Sequence, residues 1–314
     1  MNDFFDNRRI LDIIWNRLLH FIIIGVIAVV LSAVFSSPYF ITPKFKSSAR
    51  VYPTNIGTVS EESTTEQMLE IMNSVDIKLK MMKAFNLDEV YKIDKEFPQY
   101  LTAMLGEYNK HVAARKTEFE TVEIEILDED PTRAKLMCDS LIHFYNLKVR
   151  EMHAAKSWEM VKILKDNMNW RKHERDSVMG LLNSYRVNYQ ILDFNNQVPE
   201  VTRGYMRALA DGRENSPGGR EIRKIYDNFL KKGAETYILE NRFSKLSKTI
   251  DSLKFLYDIN ISEAQKVITY SHIVENPLVP DKKAYPVRWI IVAFSLMTTL
   301  FVALLAFMVL DFKK

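Results

Sequence analysis

The chain has 314 residues, 47% apolar and 26% charged, with a formal net charge of +3, which is room for two ordinary domains or for one elongated domain with membrane spans. So small a charge, with no basic run carrying interleaved aromatics, argues against nucleic-acid binding. Nine glycines are few for a loop-rich β-fold or a glycine-dependent phosphate site, and Cys138, the single cysteine, cannot form an intramolecular disulfide.

Residues 1–17 read as a short tail. Residues 18–35, LLHFIIIGVIAVVLSAVF, form an apolar run broken only by His20, and residues 289–310, WIIVAFSLMTTLFVALLAFMVL, carry no charge. A bilayer core about 30 Å thick needs roughly 20 such residues in a helix, so spans are expected over 18–36 and 289–310, followed by a tail at 311–314. The first run is longer than the apolar region of a signal peptide, and AVFSSP is a poor cleavage site, so it reads as an uncleaved anchor. Trp15, Tyr39, Phe40 and Trp289 stand at the ends, where aromatic belts form. Basic residues do not orient the spans. Arg8, Arg9, Arg17, Lys313 and Lys314 lie in the tails, against Lys44, Lys46, Arg50, Lys282, Lys283 and Arg288 beside the long loop, and so long a loop translocates largely regardless of charge.

After the first span, residues 37–131 have the pattern of a small α/β base. In KFKSSARVYP, Phe45, Ser47, Ala49 and Val51 alternate with polar neighbours, the period of a half-buried strand. Over 64–85 the period changes, with Met68, Ile71, Met72, Val75, Leu79 and Met82 on one helical face. A loop and a second short helix are expected near 97–112. The stretch 118–131, EFETVEIEILDEDP, is a strand with Val122, Ile124 and Ile126 on one face, and Pro131 suits the first position of the next helix.

Residues 132–266 read as a long helical hairpin. No proline interrupts 132–191, and a heptad-like seam runs from Leu136 through Val161, Leu164, Val178 and Leu182 to Leu192. Turn chemistry fills 193–220, expected as a tip loop that carries Pro199, Arg203, Arg213 and Pro217. The return helix keeps a strict 3-4 alternation that includes Leu239, Phe243, Leu246, Ile250, Leu253 and Tyr257, the seam expected to serve helix or oligomer packing. Residues 267–288 then hold a last base strand and a proline-rich segment, Pro277, Pro280 and Pro286, stiffened because each proline fixes φ. The fold class expected is therefore an α+β membrane protein, with two terminal transmembrane helices flanking a small α/β base and a long coiled-coil-like hairpin.

The motifs that carry chemistry are missing. There is no Walker sequence, no GxSxG, no HExxH and no paired CxxC. The six histidines form no metal-ligand pair on one helical turn, and the carboxylates of EIEILDED are explained by a solvated strand face and helix capping. No catalytic, cofactor-binding or metal site is expected, and the chain reads as a non-enzyme.

Four segments, SSARVYP, EQMLEIMNSVDIKLKMMKAFNL, VEIEILDEDPTRAKLMCDSLIHFYN and VENPLVPDKKAYPVRW, together resemble the polysaccharide co-polymerases, and more narrowly a Wzz-type chain-length determinant. The resemblance implies a two-pass protein of the bacterial inner membrane, with both termini in the cytoplasm and the large loop in the periplasm. It implies a homo-oligomer that regulates the chain length of O-antigen or a related surface polysaccharide, beside a membrane polymerase and the growing lipid-linked glycan. The subgroup with a fused or partnered tyrosine kinase is disfavoured, since the chain has neither a Walker motif nor a tyrosine tail after the second span. Two other readings stay open: an export-coupled co-polymerase bridging an ABC transporter and an outer-membrane exporter, and a two-span sensor whose helical loop binds a ligand.

Overall fold

A computed structural model describes residues 7–57 and 61–312; the tail positions 1–6 and 313–314 lie outside the described residues. In chain order the elements are α1 (Asn7–Asn16), α2 (Leu18–Phe35), β1 (Lys44–Pro53), α3 (Thr64–Met72), α4 (Val75–Ala84), α5 (Leu87–Tyr91), α6 (Tyr100–His111), β2 (Val112–Lys116), β3 (Val122–Asp128), α7 (Pro131–Tyr189), α8 (Phe194–Ala210), α9 (Pro217–Gln265), β4 (Ser271–Glu275), β5 (Lys283–Tyr285) and α10 (Arg288–Phe312). They form two compact units: one of residues up to Val149 together with those from Thr269 onward, the other Arg150–Ile268.

The first unit is built on an antiparallel sheet in the order β2-β3-β1-β4, with β5 also paired to β1. The register sets Ser47 opposite Ile126, Ala49 opposite Ile124 and Val51 opposite Val122. All six side chains are buried, as the alternation in both strands requires. On the other face Lys46 pairs with Glu125 at 2.6 Å and Arg50 with Glu123 at 3.0 Å, so the polar positions zip the same two strands. Helices α3 and α6 pack on the sheet, and Cys138 of α7 donates its thiol to the Ser47 carbonyl at 3.6 Å. Helix α3 opens with a capping box in which Ser63 and Glu66 each satisfy the other's backbone N–H. Helix α7 opens at Pro131, with Asp130 accepting from the Thr132 N–H at 2.9 Å.

Four features differ from the sequence expectation. The single helix over 64–85 is two, broken at Asn73 and Ser74. The break shifts the buried face, so Ile77 and Met81 are buried while Val75 and Leu79 are half exposed. Strands β2 and β5 were not foreseen; β2 is a basic edge strand (VAARK) that follows α6 directly. In the first turns of α7 the inward residues are Ala134, Met137, Cys138, Leu141, Ile142 and Tyr145, whereas Leu136 is 48% exposed. A helix lying on a sheet buries a broad face, and a heptad seam does not describe it.

The fourth difference lies in the second unit. The expected tip loop at 193–220 is largely helical, because α8 occupies Phe194–Ala210 with Pro199 inside it. Asp193 caps α8 by accepting from the Asn196 N–H at 3.1 Å. Its C-terminus closes as a Schellman turn, with the Arg213 N–H on the Ala208 carbonyl and Gly212 at φ +59°. Gly233 of α9 admits the α8 ring of Phe194 so closely that an added Cβ would stand 2.4 Å from it. Proline and glycine here serve caps and close packing, which composition alone reads as loop. The distal part of α7 runs antiparallel to α9: Tyr185 donates to Glu235 at 2.5 Å, Arg242 to Glu174 at 2.6 Å, and the Asn228 amide to the Tyr189 carbonyl at 2.9 Å. Val178, Leu182 and Leu246 form its buried cluster, with Leu239 and Phe243 packed against it.

Candidate functional site

The proline-rich segment is laid along the sheet. Beyond β4, Pro277 is buried and the Ser47 hydroxyl donates to the Leu278 carbonyl at 2.8 Å. Pro280 is half-buried, and β5 then pairs with the start of β1, Lys44 opposite Tyr285 and Phe45 opposite Lys283. Pro286, buried and joined to Tyr285 by a cis peptide, leads directly into α10 at Arg288. Proline has no N–H to leave unpaired, which suits Pro277 and Pro280 to the stretch where the chain crosses between two strand pairings.

Residues that the sequence did not single out hold the start of this segment. Asn146 of α7 donates its amide to Ser271 Oγ at 2.8 Å and accepts from the Tyr270 N–H at 2.6 Å. Tyr145 Oη donates to the Tyr270 carbonyl at 3.4 Å, and the Thr54 N–H to the same oxygen at 3.1 Å. Asn55, in a left-handed conformation at φ 57°, donates its amide to the Thr269 carbonyl at 2.9 Å. Polar residues on an otherwise apolar helix face are the one sequence signal that marks Asn146.

Helices α2 and α10, each long and apolar enough to cross a membrane, pack together. Gly25 faces Leu296 and Leu300, with room for a Cβ only at contact distance from Leu296, 3.4 Å. Phe21 and His20 present their edges to Phe307, centroids 5.2 and 6.0 Å apart, and the Arg17 guanidinium lies 4.8 Å from the same ring.

On α9, Leu246 and Ile250 are buried, while Leu239, Phe243, Leu253 and Tyr257 are half-buried. Pro199 and Arg203 lie in α8, where Arg203 pairs with Glu200 at 2.9 Å. Arg213 lies in the α8–α9 turn, and Pro217 is the first residue of α9 behind the Ser216 cap. The Arg242 guanidinium, followed by Arg171, holds the Glu174 carboxyl below its ordinary range. Apolar side chains also face outward here, among them Ile163 and Trp170 on α7 and Ile238 and Phe255 on α9.

Lys44, Tyr91, Glu107, His111 and Asp128 line a polar cavity of about 190 Å³ among α5, α6, β1 and β3. Lys44 Nζ donates to His111 Nε2 at 2.5 Å, and Tyr91 stacks on the imidazole with centroids 5.0 Å apart. Burial, reinforced by Lys44, holds the His111 pKa below its ordinary value. Among the described residues no group of His, Cys, Asp and Glu has the arrangement of a metal site.

Residues 3–92 match the family model described as Wzz, chain length determinant protein, so the resemblance carried by the sequence is shown over that stretch. No curated protein sequence matches the chain. Among solved structures, a full-length bacterial polysaccharide co-polymerase is similar at 12% identity, over 96% of this chain and 97% of that one, with a TM-score of 0.43. The Shigella flexneri lipopolysaccharide O-antigen chain-length regulator matches at 12% identity over 76% of this chain and 99% of that one, TM-score 0.27. A Wzz dodecamer fitted to a cryo-EM map matches at 11% identity over 76% of this chain and 98% of that one, TM-score 0.28.

Proposed function

We propose that this chain is a non-catalytic, oligomeric scaffold of the bacterial inner membrane that regulates the chain length of O-antigen or a related surface polysaccharide, together with a membrane polymerase. The match of residues 3–92 to the chain-length-determinant family carries this reading. The two apolar helices that bracket the rest of the chain support it. In this reading both termini are cytoplasmic and the sheet and helical unit are periplasmic. The outward apolar side chains of α7 and α9 meet further copies of the chain, and the α8–α9 turn region with Arg203 and Arg213 faces the glycan or its polymerase. The proline-rich segment passes the position of the sheet to the second apolar helix.

Deleting the gene is expected to shift the modal length of the glycan ladder on a gel while the repeat unit is still made. An unchanged ladder would sink the reading. Pro277→Ala with Pro280→Ala is expected to alter that ladder at unchanged protein abundance, and a normal ladder would leave the prolines with strand termination only.

A further inference from the structure

We propose that the sheet end of α10 gathers anionic phospholipid from the bilayer, with Lys282, Lys283 and Arg288 on the headgroup phosphate beside Trp289. Lys282, Arg288 and Trp289 are exposed, and Lys283 is half-buried at the start of β5. None of the three cations meets a carboxylate or another hydrogen-bond partner among the described residues. Other cations of the sheet unit are already matched: Lys46 by Glu125, Arg50 by Glu123 and Glu275, and Arg133 by Asp128.

The distribution of acids makes this excess local. Between Asp12 and Glu61, and again between Glu275 and Asp311, the single acidic residue is Asp281. Those two stretches contain both apolar helices and both connections from them to the sheet, which meet where β5 pairs with the first residues of β1. Lys44 lines the cavity with Glu107, Asp128 and Glu129, and Lys46 has Glu125. Setting those two aside leaves three unpaired cations against one carboxylate.

The surroundings of the three cations fit a lipid surface. Trp289 is 73% exposed, and Tyr285 beside it is exposed too; at the end of α2, Tyr39 is 90% exposed and Phe40 lies against it. Aromatic rings at the ends of apolar helices are the residues of a bilayer interface. Five residues, 284–288, separate Lys283 from Trp289, and the flexible stems of lysine and arginine carry their charges to the headgroup level. A zwitterionic headgroup balances its phosphate with its own ammonium, so a net excess of cations selects the anionic class.

The inference rests on the reading that α10 crosses a membrane. The test uses Trp289 as the reporter, in full-length protein carrying Trp15→Phe, Trp158→Phe and Trp170→Phe. This protein is reconstituted in phosphatidylcholine bilayers containing equal small fractions of either brominated phosphatidylglycerol or brominated phosphatidylcholine. The brominated phosphatidylglycerol is expected to quench Trp289 in preference, with a local enrichment on the order of fivefold. Lys282→Gln, Lys283→Gln and Arg288→Gln together are expected to bring that ratio to about one, as is sodium chloride at about 0.5 M. The unfolding temperature is expected to stay unchanged, because these side chains have no internal partners to lose. Equal quenching by the two lipids, or a preference that survives in the triple variant or in high salt, would overturn the site and leave the span standing. No quenching of Trp289 by either lipid would remove the site and the span together.

Discussion

The sheet unit and the helical unit bury their apolar residues differently. In the first, buried positions come in blocks: Ala49 and Val51 on β1, Val122, Ile124 and Ile126 on β3, and Met137, Cys138, Leu141, Ile142 and Tyr145 on α7. In the second they come singly along a seam, Val161, Leu164, Val178 and Leu182 on α7 against Phe229, Leu246 and Ile250 on α9. The outward faces of the same two helices keep Ile163 53% and Phe255 66% exposed. The sheet unit encloses a core within one chain. The helical unit has one dry line and leaves apolar area that only another surface can cover.

That contrast can be broken by paired truncations. Ile124→Ala in the sheet core is expected to cost about 4 kcal/mol, and Leu246→Ala on the seam about 2 kcal/mol, since a thinly packed site relaxes more easily. Urea unfolding in detergent, followed by circular dichroism, checks both, and equal losses would erase the distinction. Asn146→Ala leaves the Tyr270 N–H without its partner and is expected to cost about 2 kcal/mol, read by the same unfolding curves; a loss below a few tenths would make Asn146 dispensable.

The acid response of the sheet unit sharpens the comparison further. The folded-state pKa of His111 is depressed, so the fold favours neutral imidazole, and its contribution is present above the unfolded value of about 6.5 and lost as pH falls below it. Protonation also places a second cation against Lys44, with Glu107 and Asp128 the nearest carboxylates. Melting at pH 7.5 and 5.5 should show a drop that His111→Gln reduces; an identical drop in the variant would assign the acid sensitivity elsewhere. The smallest effect on folding is expected from Ile163→Ser with Phe255→Ser, within about 0.5 kcal/mol for surface positions. The same pair should lower the oligomer mass measured in detergent, and an unchanged assembly would mean that these faces stay wet.

Much of this was legible in the chain itself. Period-two runs such as VEIEI and the seam of α9 announce their elements because each buries one face against a single partner. Strand β5 hid because KAY has no alternation and owes its conformation to pairing with Lys44 and Phe45. Helix α8 hid because Pro199 and Gly204 read as turn residues, although Gly204 lies against Ile222 of α9. The cavity was least legible of all. Lys44, Tyr91, His111 and Asp128 belong to four elements, and only the register of β1 against β3 and the return of α6 bring them together.

The pairing of Tyr285 with Lys44 fixes more than the position of the prolines. Only Pro286 and Val287 separate β5 from α10, whereas residues 36–43 separate α2 from β1. The angular phase of α10 is therefore indexed to the sheet almost residue for residue, while α2 is joined to β1 by a longer, turned connection and packs on α10 through Gly25 and Leu296. One residue added after Tyr285 would turn α10 by about 100° and carry Leu296 and Leu300 away from Gly25. The two apolar helices thus behave as a keyed pair, set from one end by three residues of backbone.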